Sequence, residues 1–187
     1  MAEHVCPWWL GYFLIVPIRR WLQDPAAITK PYVRAGMTVL EPGPGMGFFT
    51  LELAKQVGPN GRVVAVDVQP KMIAKLKRRA EKSGLALRID ARLAAKDSMA
   101  LEDLRGKVDF TLAFCMVHEM PSASRFFQES AELMKAGATL LLAEPTGHVK
   151  KENFDEELRA AEEAGFSIVD RPPIRRSLTA ILQKGKV

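Results

Sequence analysis

The chain has 187 residues, of which 48% are hydrophobic and 26% are charged. This length fits one compact domain, and the balance excludes global disorder because it provides enough apolar side chains for a core. The net charge of +5 leaves room for an acidic partner, but the basic residues are spread along the chain, so nucleic-acid binding is disfavoured. Cys6 and Cys115 form no C-x-x-C motif; no metal site is therefore predicted, and a reducing, cytoplasmic environment is favoured.

The N-terminal segment before residue 23 is apolar and contains all three tryptophans of the chain. Its longest apolar run, residues 7–18, is too short to span a bilayer. The segment also lacks the basic region and the small-residue cleavage site of a signal peptide. A soluble protein is therefore expected.

From residue 38 onward, strand-like and helix-like segments alternate with short turns, which indicates an α/β sheet. The predicted strands are 38–41, 62–67, 86–90, 108–114, 139–143, 166–170 and 177–183. The predicted helices are 49–57, 71–82, 98–104, 124–134 and 153–163. Gly84, Gly137 and Gly165 follow helical patterns, where a left-handed residue would end each helix. Only Pro172-Pro173 and a short turn separate the last two strands, so these strands are predicted to pair antiparallel.

The first predicted strand runs into an acid and three alternating glycines: Glu41, Gly43, Gly45 and Gly47. A G-x-G-x-x-G dinucleotide fingerprint would need a small third residue, and neither possible register supplies one. The P-loop pattern is also absent. The spacing instead matches the E/D-x-G-x-G-x-G loop of class I S-adenosylmethionine-dependent methyltransferases, and the chain resembles that family.

The resemblance covers about residues 34–185. It implies a Rossmann-like, three-layer α/β sandwich around a seven-stranded, mostly parallel sheet, with the last strand antiparallel beside the fifth. We expect a single domain, 1–187, with an N-terminal segment at 1–35 and the core at 36–187.

S-adenosylmethionine is the cofactor that the resemblance implies, with S-adenosylhomocysteine as the product. The glycine loop would run beneath the methionine part of the cofactor, and Glu41 would help to hold its ammonium group. Asp67, at the end of the second strand, would accept from the ribose hydroxyls, although by itself it could equally cap the next helix. The residues implied to contact the cofactor here are Glu41, Gly43, Pro44, Gly45, Gly47, Asp67, Val68 and Phe114.

A third motif near the adenine usually consists of an acid and a small residue after strand three. Asp97-Ser98 is the preferred match in this sequence. Asp90-Ala91 is the alternative, because strand boundaries read from one sequence do not exclude it.

Residues 114–121 would lie at the mouth of the site, where the acceptor binds. No (N/D)-P-P-(Y/F) tetrapeptide is present, which disfavours methylation of DNA amines and glutamine. The segment resembles instead that of quinone and other small-molecule methyltransferases, which act on oxygen or carbon nucleophiles. Cys115 would contact the substrate. His118 is a candidate general base, or a histidine that only hydrogen-bonds a loop, and Glu119 would orient it or cap the next helix. His148 is a second candidate base.

Three interpretations of the N-terminal segment stay open. In the resembling family, such a segment closes over the cofactor, so Trp8, Trp9 and Tyr12 would form a lid that contacts an apolar or aromatic acceptor. Alternatively, the segment anchors the protein peripherally to a membrane. It could also be a helix packed on the sheet.

A small-molecule acceptor is therefore the expected partner. The alternative functions are an RNA or protein methyltransferase, which only the positive charge supports, and a non-catalytic cofactor-binding regulatory protein. Metalloid binding by Cys6 and Cys115, as in arsenite methyltransferases, is disfavoured because that family uses more thiols. The oligomeric state is not specified by the sequence.

Overall fold

The computed structural model of the chain describes residues 23–95 and 98–186. Four of the predicted site residues, Trp8, Trp9, Tyr12 and Asp97, lie outside these residues.

Within the described ranges the chain forms seven strands and five α-helices, which alternate in sequence. The strands are β1 (Thr38–Pro42), β2 (Arg62–Asp67), β3 (Ile89–Leu93), β4 (Val108–Phe114), β5 (Met134–Pro145), β6 (Phe166–Asp170) and β7 (Ser177–Lys184). The helices are α1 (Pro25–Thr29), α2 (Thr50–Val57), α3 (Pro70–Lys82), α4 (Ala123–Leu133) and α5 (Lys151–Glu163), with 3₁₀ helices at Ala86–Arg88, Glu102–Leu104 and Val117–Glu119. In this part of the chain, no helix has the length and apolarity needed to cross a membrane.

The strands form one sheet in the order β3-β2-β1-β4-β5-β7-β6. Strands β1 to β5 are parallel, and β7 pairs antiparallel with both β5 and β6. This arrangement confirms the predicted Rossmann-like fold, including the antiparallel last strand beside the fifth. The strand order reverses between β1 and β4, and in open α/β sheets such a reversal creates a crevice at the carboxyl ends of the strands.

Side chains on the two faces of the sheet form two separate apolar cores, which makes the three-layer sandwich. On one face, Phe127 of α4 and Phe154 of α5 pack with Leu140 of β5. On the other face, Leu53 of α2 packs with Leu141, the next residue of β5. Adjacent residues of a strand point to opposite faces, so the near-continuous apolar runs of the central strands supply both cores.

The predicted helix 98–104 is wrong, because only Glu102–Leu104 forms a 3₁₀ helix. Ala100 adopts a left-handed φ of +52°, which no helix interior accommodates. The amide of Ala100 donates to Ser98 Oγ at 3.0 Å, and the amide of Met99 donates to Glu129 Oε2 at 2.9 Å. Side-chain acceptors therefore replace the helical hydrogen bonds of this segment.

The start of β3, the start of β5 and the position of Gly137 also differ from the prediction. Strand β3 begins at Ile89 rather than at residue 86, because Ala86–Arg88 forms a 3₁₀ helix. Gly84 and Gly165 follow helix ends with positive φ, as predicted, whereas Gly137 (φ +75°) lies inside β5. Helix α4 has already ended at Leu133, and β5 begins at the next residue.

Gly61, just before β2, is a position where even one methyl group should not fit. A Cβ there would lie 2.6 Å from the carbonyl oxygen of Val57 and 2.7 Å from that of Met37. Both oxygens already accept backbone hydrogen bonds, from Gly36 and Arg62 respectively, so they cannot move away freely. We expect Gly61→Ala to lower the free energy of unfolding by about 1–3 kcal/mol in chemical denaturation.

The matched control is Gly147→Ala, since a Cβ at Gly147 has no atom within 4 Å. We expect this variant to retain wild-type stability or to gain a little from a less flexible unfolded chain. Equal denaturation midpoints for the two variants would contradict the packing described here.

Candidate functional site

The carboxyl ends of β1, β2, β4 and β5 open into a cleft of about 490 Å³, where the strand order reverses. Its described lining includes Gln23, Glu41, Gly43, Pro44, Gly45, Phe48, Asp67, Val68, Ala94, Met99, Phe114, Cys115, Met116, His118, Glu119, Met120, His148, Arg175 and Arg176. Most of the predicted site residues that the structure describes are therefore brought together.

The glycine loop forms the floor of one half of the cleft, and its three glycines have different surroundings. Gly43 (φ +65°) follows β1 and donates its amide to the carbonyl of Val66 at 2.9 Å. Gly45 (φ +54°) lines the cleft, and a Cβ there would have no protein atom within 4 Å. Gly47 (φ +83°) does not line the cleft; a Cβ there would lie 2.5 Å from Leu76 Cδ1. Gly45 thus leaves space for a ligand, whereas Gly47 lets the loop pack on α3.

Two buried carboxylates flank this loop. Glu41 is 4% exposed, and its Oε2 atom has no hydrogen-bond partner in the described part of the chain. Burial raises the pKa of Glu41 to about 7. Asp67, at the end of β2, accepts from the amide of Gln69 at 2.8 Å, and burial raises its pKa to about 6. Because Gln69 is the N-cap of α3, Asp67 does not have the capping role that its sequence position also allowed.

Of the two matches for the third motif, the structure describes Ser98, Asp90 and Ala91 but not Asp97. Ser98 faces a different surface depression, beside Glu102 and Arg125, and Asp90 pairs with Arg92 at 2.7 Å. Neither residue lines the cleft. Ala94 and Met99 line that edge instead.

Cys115 follows β4 and adopts a left-handed φ of +56°. Its amide donates to the carbonyl of Ala143 in β5 at 2.7 Å, which extends the ladder between these strands by one hydrogen bond. The residue is half-buried and lines the cleft next to Phe114. The turn at Cys115 directs the following residues across the mouth of the cleft.

Those residues include His118, whose imidazole pairs with a buried carboxylate. His118 Nδ1 hydrogen-bonds Glu144 Oε2, and the side chain of Glu144, at the end of β5, is 0% exposed. Glu144 Oε1 also accepts the amides of Met116 (3.2 Å) and Val117 (2.9 Å). The hydrogen bond that His118 donates to Glu144 raises the pKa of the imidazole, although burial opposes this effect. With Nδ1 donating to the carboxylate, Nε2 is the nitrogen left to accept a proton.

Glu119 has neither of the roles that the sequence suggested for it. Its Oε1 lies 3.9 Å from His118 Nε2, so the orienting partner is Glu144. Helix α4 is capped by Ser122, whose hydroxyl accepts the amide of Arg125 at 3.2 Å. One feature of the sequence could have indicated the role of Glu144: it is an acid directly after the apolar run of β5, at the same edge of the sheet as the glycine loop.

Two further groups complete the mouth. The ring of His148 lies 6.4 Å from that of His118, and its amide donates to the carbonyl of Pro145. Arg175 and Arg176, in the connection between β6 and β7, line the cleft near it. No pattern in the sequence singled out these arginines as site residues.

A further buried acid lies close to His118 and Glu144. Glu157 of α5 is 7% exposed, and its Oε2 has no hydrogen-bond partner among the described residues. Burial is the main cause that raises its pKa to about 8, and the charge of Glu144 adds to this shift. Glu157 falls on the apolar face that Phe154, Leu158 and Ala161 define at helical spacing, which is the pattern that could have indicated its burial.

A family model described as a methyltransferase domain matches residues 34–183. The chain belongs to this methyltransferase family. This is an enzyme family, and S-adenosylmethionine is the cofactor that the family and the fold imply. The solved structures similar to this methyltransferase include a SAM-dependent methyltransferase from Aquifex aeolicus, with 24% identity, coverage of 96% of this chain and 98% of the other, and a TM-score of 0.84. Another is a putative S-adenosylmethionine-dependent methyltransferase from Methanococcus maripaludis, with 16% identity, coverage of 100% and 98%, and a TM-score of 0.78.

Among curated proteins, an arsenite methyltransferase from Halobacterium salinarum is 28% identical over 156 residues, which are 74% of this chain and 39% of that protein. An uncharacterized 37.1 kDa protein in a Streptomyces fradiae transposon is 27% identical over 112 residues, or 60% and 31% of the two chains. The methyltransferase described here therefore spans 39% and 31% of the length of these two relatives.

The cofactor half of the cleft fits S-adenosylmethionine. The open space at Gly45 admits a ligand close to the backbone. The Oε2 of Glu41, which no donor among residues 23–95 and 98–186 contacts, offers an acceptor for an ammonium group, and Asp67 offers one for hydroxyls. Val68, 44% exposed at the cleft, provides an apolar surface for a base. These individual roles remain predictions.

Gly45→Ala should weaken the binding of S-adenosylhomocysteine by about tenfold or more, because the new Cβ would enter the space left for the ligand. The matched control is Gly84→Ala, which has a similar positive φ (+66°) and equally open surroundings but lies away from the cleft. Both variants should lose similar folding stability, whereas only Gly45→Ala should lose affinity in calorimetric titration. Equal affinities would show that the loop does not approach the ligand.

Glu157→Gln should flatten the pH dependence of stability. The folded-state pKa of about 8 lies above the usual glutamate value, so folding takes up a proton between these pH values, and stability falls as the pH rises. Between about pH 5 and pH 9 the variant should lose less unfolding free energy than the wild type, by an amount on the order of a few kcal/mol. The exposed neighbour Glu156, changed to Gln, should leave the wild-type slope intact. A parallel slope for Glu157→Gln would contradict the burial of a neutral carboxyl group.

Proposed function

We propose that the chain transfers a methyl group from S-adenosylmethionine to an oxygen or carbon nucleophile of a small organic acceptor, with S-adenosylhomocysteine as the second product. The observation that carries this proposal is the His118–Glu144 pair, which shares one cleft with the glycine loop and Asp67. A proton acceptor next to a cofactor site is what a hydroxyl or an acidic carbon needs before it can attack.

The cofactor supplies an activated methyl group, so the residues of the chain have to position the acceptor, deprotonate it and exclude water. In this proposal, Nε2 of His118 accepts the proton of the acceptor. Glu144 holds the imidazole through Nδ1 and stabilises the positive charge that protonation creates. The direction of the His118 pKa shift supports this role, because a raised pKa makes the imidazole a stronger base.

The walls of the cleft near His118 are apolar and support an apolar or aromatic acceptor. Phe48, Phe114, Met116 and Met120 line this part, and Phe114 and Met116 are each 8% exposed. Such side chains bind planar or aliphatic groups and keep water away from the transfer. The predicted lid formed by Trp8, Trp9 and Tyr12, like the cytoplasmic location, stays part of this proposal.

Arsenite, the substrate named for the halobacterial relative, is a weaker candidate for this chain. The whole sequence has two cysteines, and in the described ranges only Cys115 lies at the cleft. Arsenic binds most strongly to several thiolates at once, which suits soft ligands. The His118–Glu144 pair has no evident task in such a reaction, whereas it suits deprotonation of an organic acceptor.

The direct test is an acceptor screen with radiolabelled S-adenosylmethionine and purified protein. Quinones, phenols and lipids form the organic panel, with arsenite and RNA as the competing acceptors. The proposal expects label to be transferred to at least one organic compound. Label found only on arsenite or RNA would overturn it.

With an acceptor in hand, His118→Gln should lower kcat by about 10²–10⁴-fold, the usual contribution of a general base, while the affinity for S-adenosylhomocysteine stays close to that of the wild type. The matched variant is His148→Gln, at the second candidate base, which should reduce kcat much less. If His148→Gln instead shows the larger loss, the roles of the two histidines are exchanged.

The pH profile tests the role of Glu144 separately. Because the base form of His118 is needed, kcat should rise with pH through a pKa above the usual histidine value. Glu144→Gln removes the partner that raises this pKa, so the rise should move to lower pH while the maximal rate falls. An unchanged midpoint in Glu144→Gln would show that the titrating group is not His118.

A further inference from the structure

We propose that Arg175 and Arg176 form an anion subsite in the acceptor half of the cleft, so that the acceptor is a small organic molecule carrying a carboxylate or another anionic group. This inference rests on the proposed function and specifies the class of its acceptor. Three observations support it: the division of charge between the two halves of the cleft, the hydrogen bonds that fix the backbone of the two arginines, and the lack of partners for their side chains among the described residues.

The charges of the cleft are divided between its two halves. Glu41 and Asp67 lie in the half that fits the cofactor, and Glu119 lies beside His118. Among the described lining residues, Arg175 and Arg176 are the only lysines or arginines. An apolar acceptor without charge would make no use of two adjacent cations at the mouth, whereas an anionic group would be attracted to them.

The backbone of the arginine pair is fixed against the strand that carries the proposed base machinery. Residues 174–177 form a turn in which the amide of Ser177 donates to the carbonyl of Ile174 at 3.1 Å. The carbonyl of Arg176 accepts the amide of Thr146 at 3.1 Å, two residues beyond Glu144. The carbonyl of Arg175 accepts from Gln23 Nε2 at 3.3 Å. The turn therefore holds both arginines next to the end of β5.

The conformation of this turn is not the relaxed one. Arg176 adopts a left-handed φ of +60°, one of three such non-glycine residues in the described ranges. A residue with a Cβ adopts this conformation only at a cost in free energy, and such positions occur preferentially at functional sites. Another of the three, Cys115, lines the same cleft.

The guanidinium groups themselves have no partner in the described part of the protein. Both arginines are exposed, and across residues 23–95 and 98–186 neither makes an ion pair or a side-chain hydrogen bond. Elsewhere on the surface, Arg92 pairs with two aspartates and Arg105 with Glu132. Two neighbouring guanidinium groups repel each other, and their planar donors match a carboxylate or phosphate. An anion on the acceptor would satisfy both.

A second anion has the same chemistry as an anionic acceptor: the carboxylate in the methionine part of the cofactor. The two sources predict different effects of removing the arginines. Acceptor binding would weaken in one case, and cofactor binding would weaken in the other. The experiment therefore measures both affinities in the same proteins.

The probes are 4-hydroxybenzoate and phenol, which differ by one carboxylate, titrated calorimetrically into the protein saturated with S-adenosylhomocysteine. In the wild type, 4-hydroxybenzoate should bind at least about tenfold more tightly than phenol, as charge-assisted hydrogen bonds to the carboxylate imply. In the double variant R175Q/R176Q this preference should fall to within about twofold, with the affinity for S-adenosylhomocysteine unchanged. Thermal melting checks that the variants are folded.

Arg171→Gln is the matched control, because Arg171 is an exposed arginine of the same connection that does not line the cleft. It should keep the wild-type preference. Equal binding of the two probes, or no binding of either, in the wild type would overturn the inference. So would a loss of S-adenosylhomocysteine affinity in R175Q/R176Q, which would assign the arginines to the cofactor. Failure of the proposed function is distinct, because it would appear in the acceptor screen as label found only on arsenite or RNA.

Discussion

The site depends on one buried carboxylate, that of Glu144 at the end of β5. A fully buried charge is tolerated only where enough donors replace its hydration, and Glu144 receives the amides of Met116 and Val117 together with the imidazole of His118. These contacts join the segment after β4 to the end of β5. The contacts that stabilise the buried charge therefore also set the path of the segment after β4 and the orientation of its histidine.

The cleft places two kinds of acid side by side with different tasks. Burial raises the pKa of Glu41 and Asp67, whose carboxylates face the half that fits a cationic, hydroxylated cofactor. Such a ligand would supply positive charge to both groups, and a donor to the Oε2 atom of Glu41, which has no hydrogen-bond partner among the described residues. Glu144 differs because it already has its partners, and it acts on the acceptor half through His118. Glu157 is also buried, its Oε2 atom has no hydrogen-bond partner in the described part of the chain, and burial favours its neutral form.

Local features of the fold and site were predictable from the sequence, and features that depend on distant contacts were not. The glycine loop and Asp67 are read from spacing along one β-α-β unit, so Gly43, Gly45 and Asp67 were correctly expected at one cleft. The helix predicted at 98–104 failed because Glu129, thirty residues away, supplies a competing acceptor. Ser98 was misplaced with that helix. Glu144 was missed because its role arises from the pairing of β4 with β5, and Arg176 because its position arises from the pairing of β5 with β7; no short motif encodes either pairing.

Every role assigned to the residues of this cleft requires that S-adenosylmethionine binds where the strand order reverses. This binding can be measured by calorimetric titration of the wild-type protein with S-adenosylmethionine, S-adenosylhomocysteine, NAD and ATP. We expect binding of the first two compounds at roughly micromolar concentrations and no comparable binding of NAD or ATP. Tighter binding of NAD or ATP, or no binding of either sulfur compound, would contradict it.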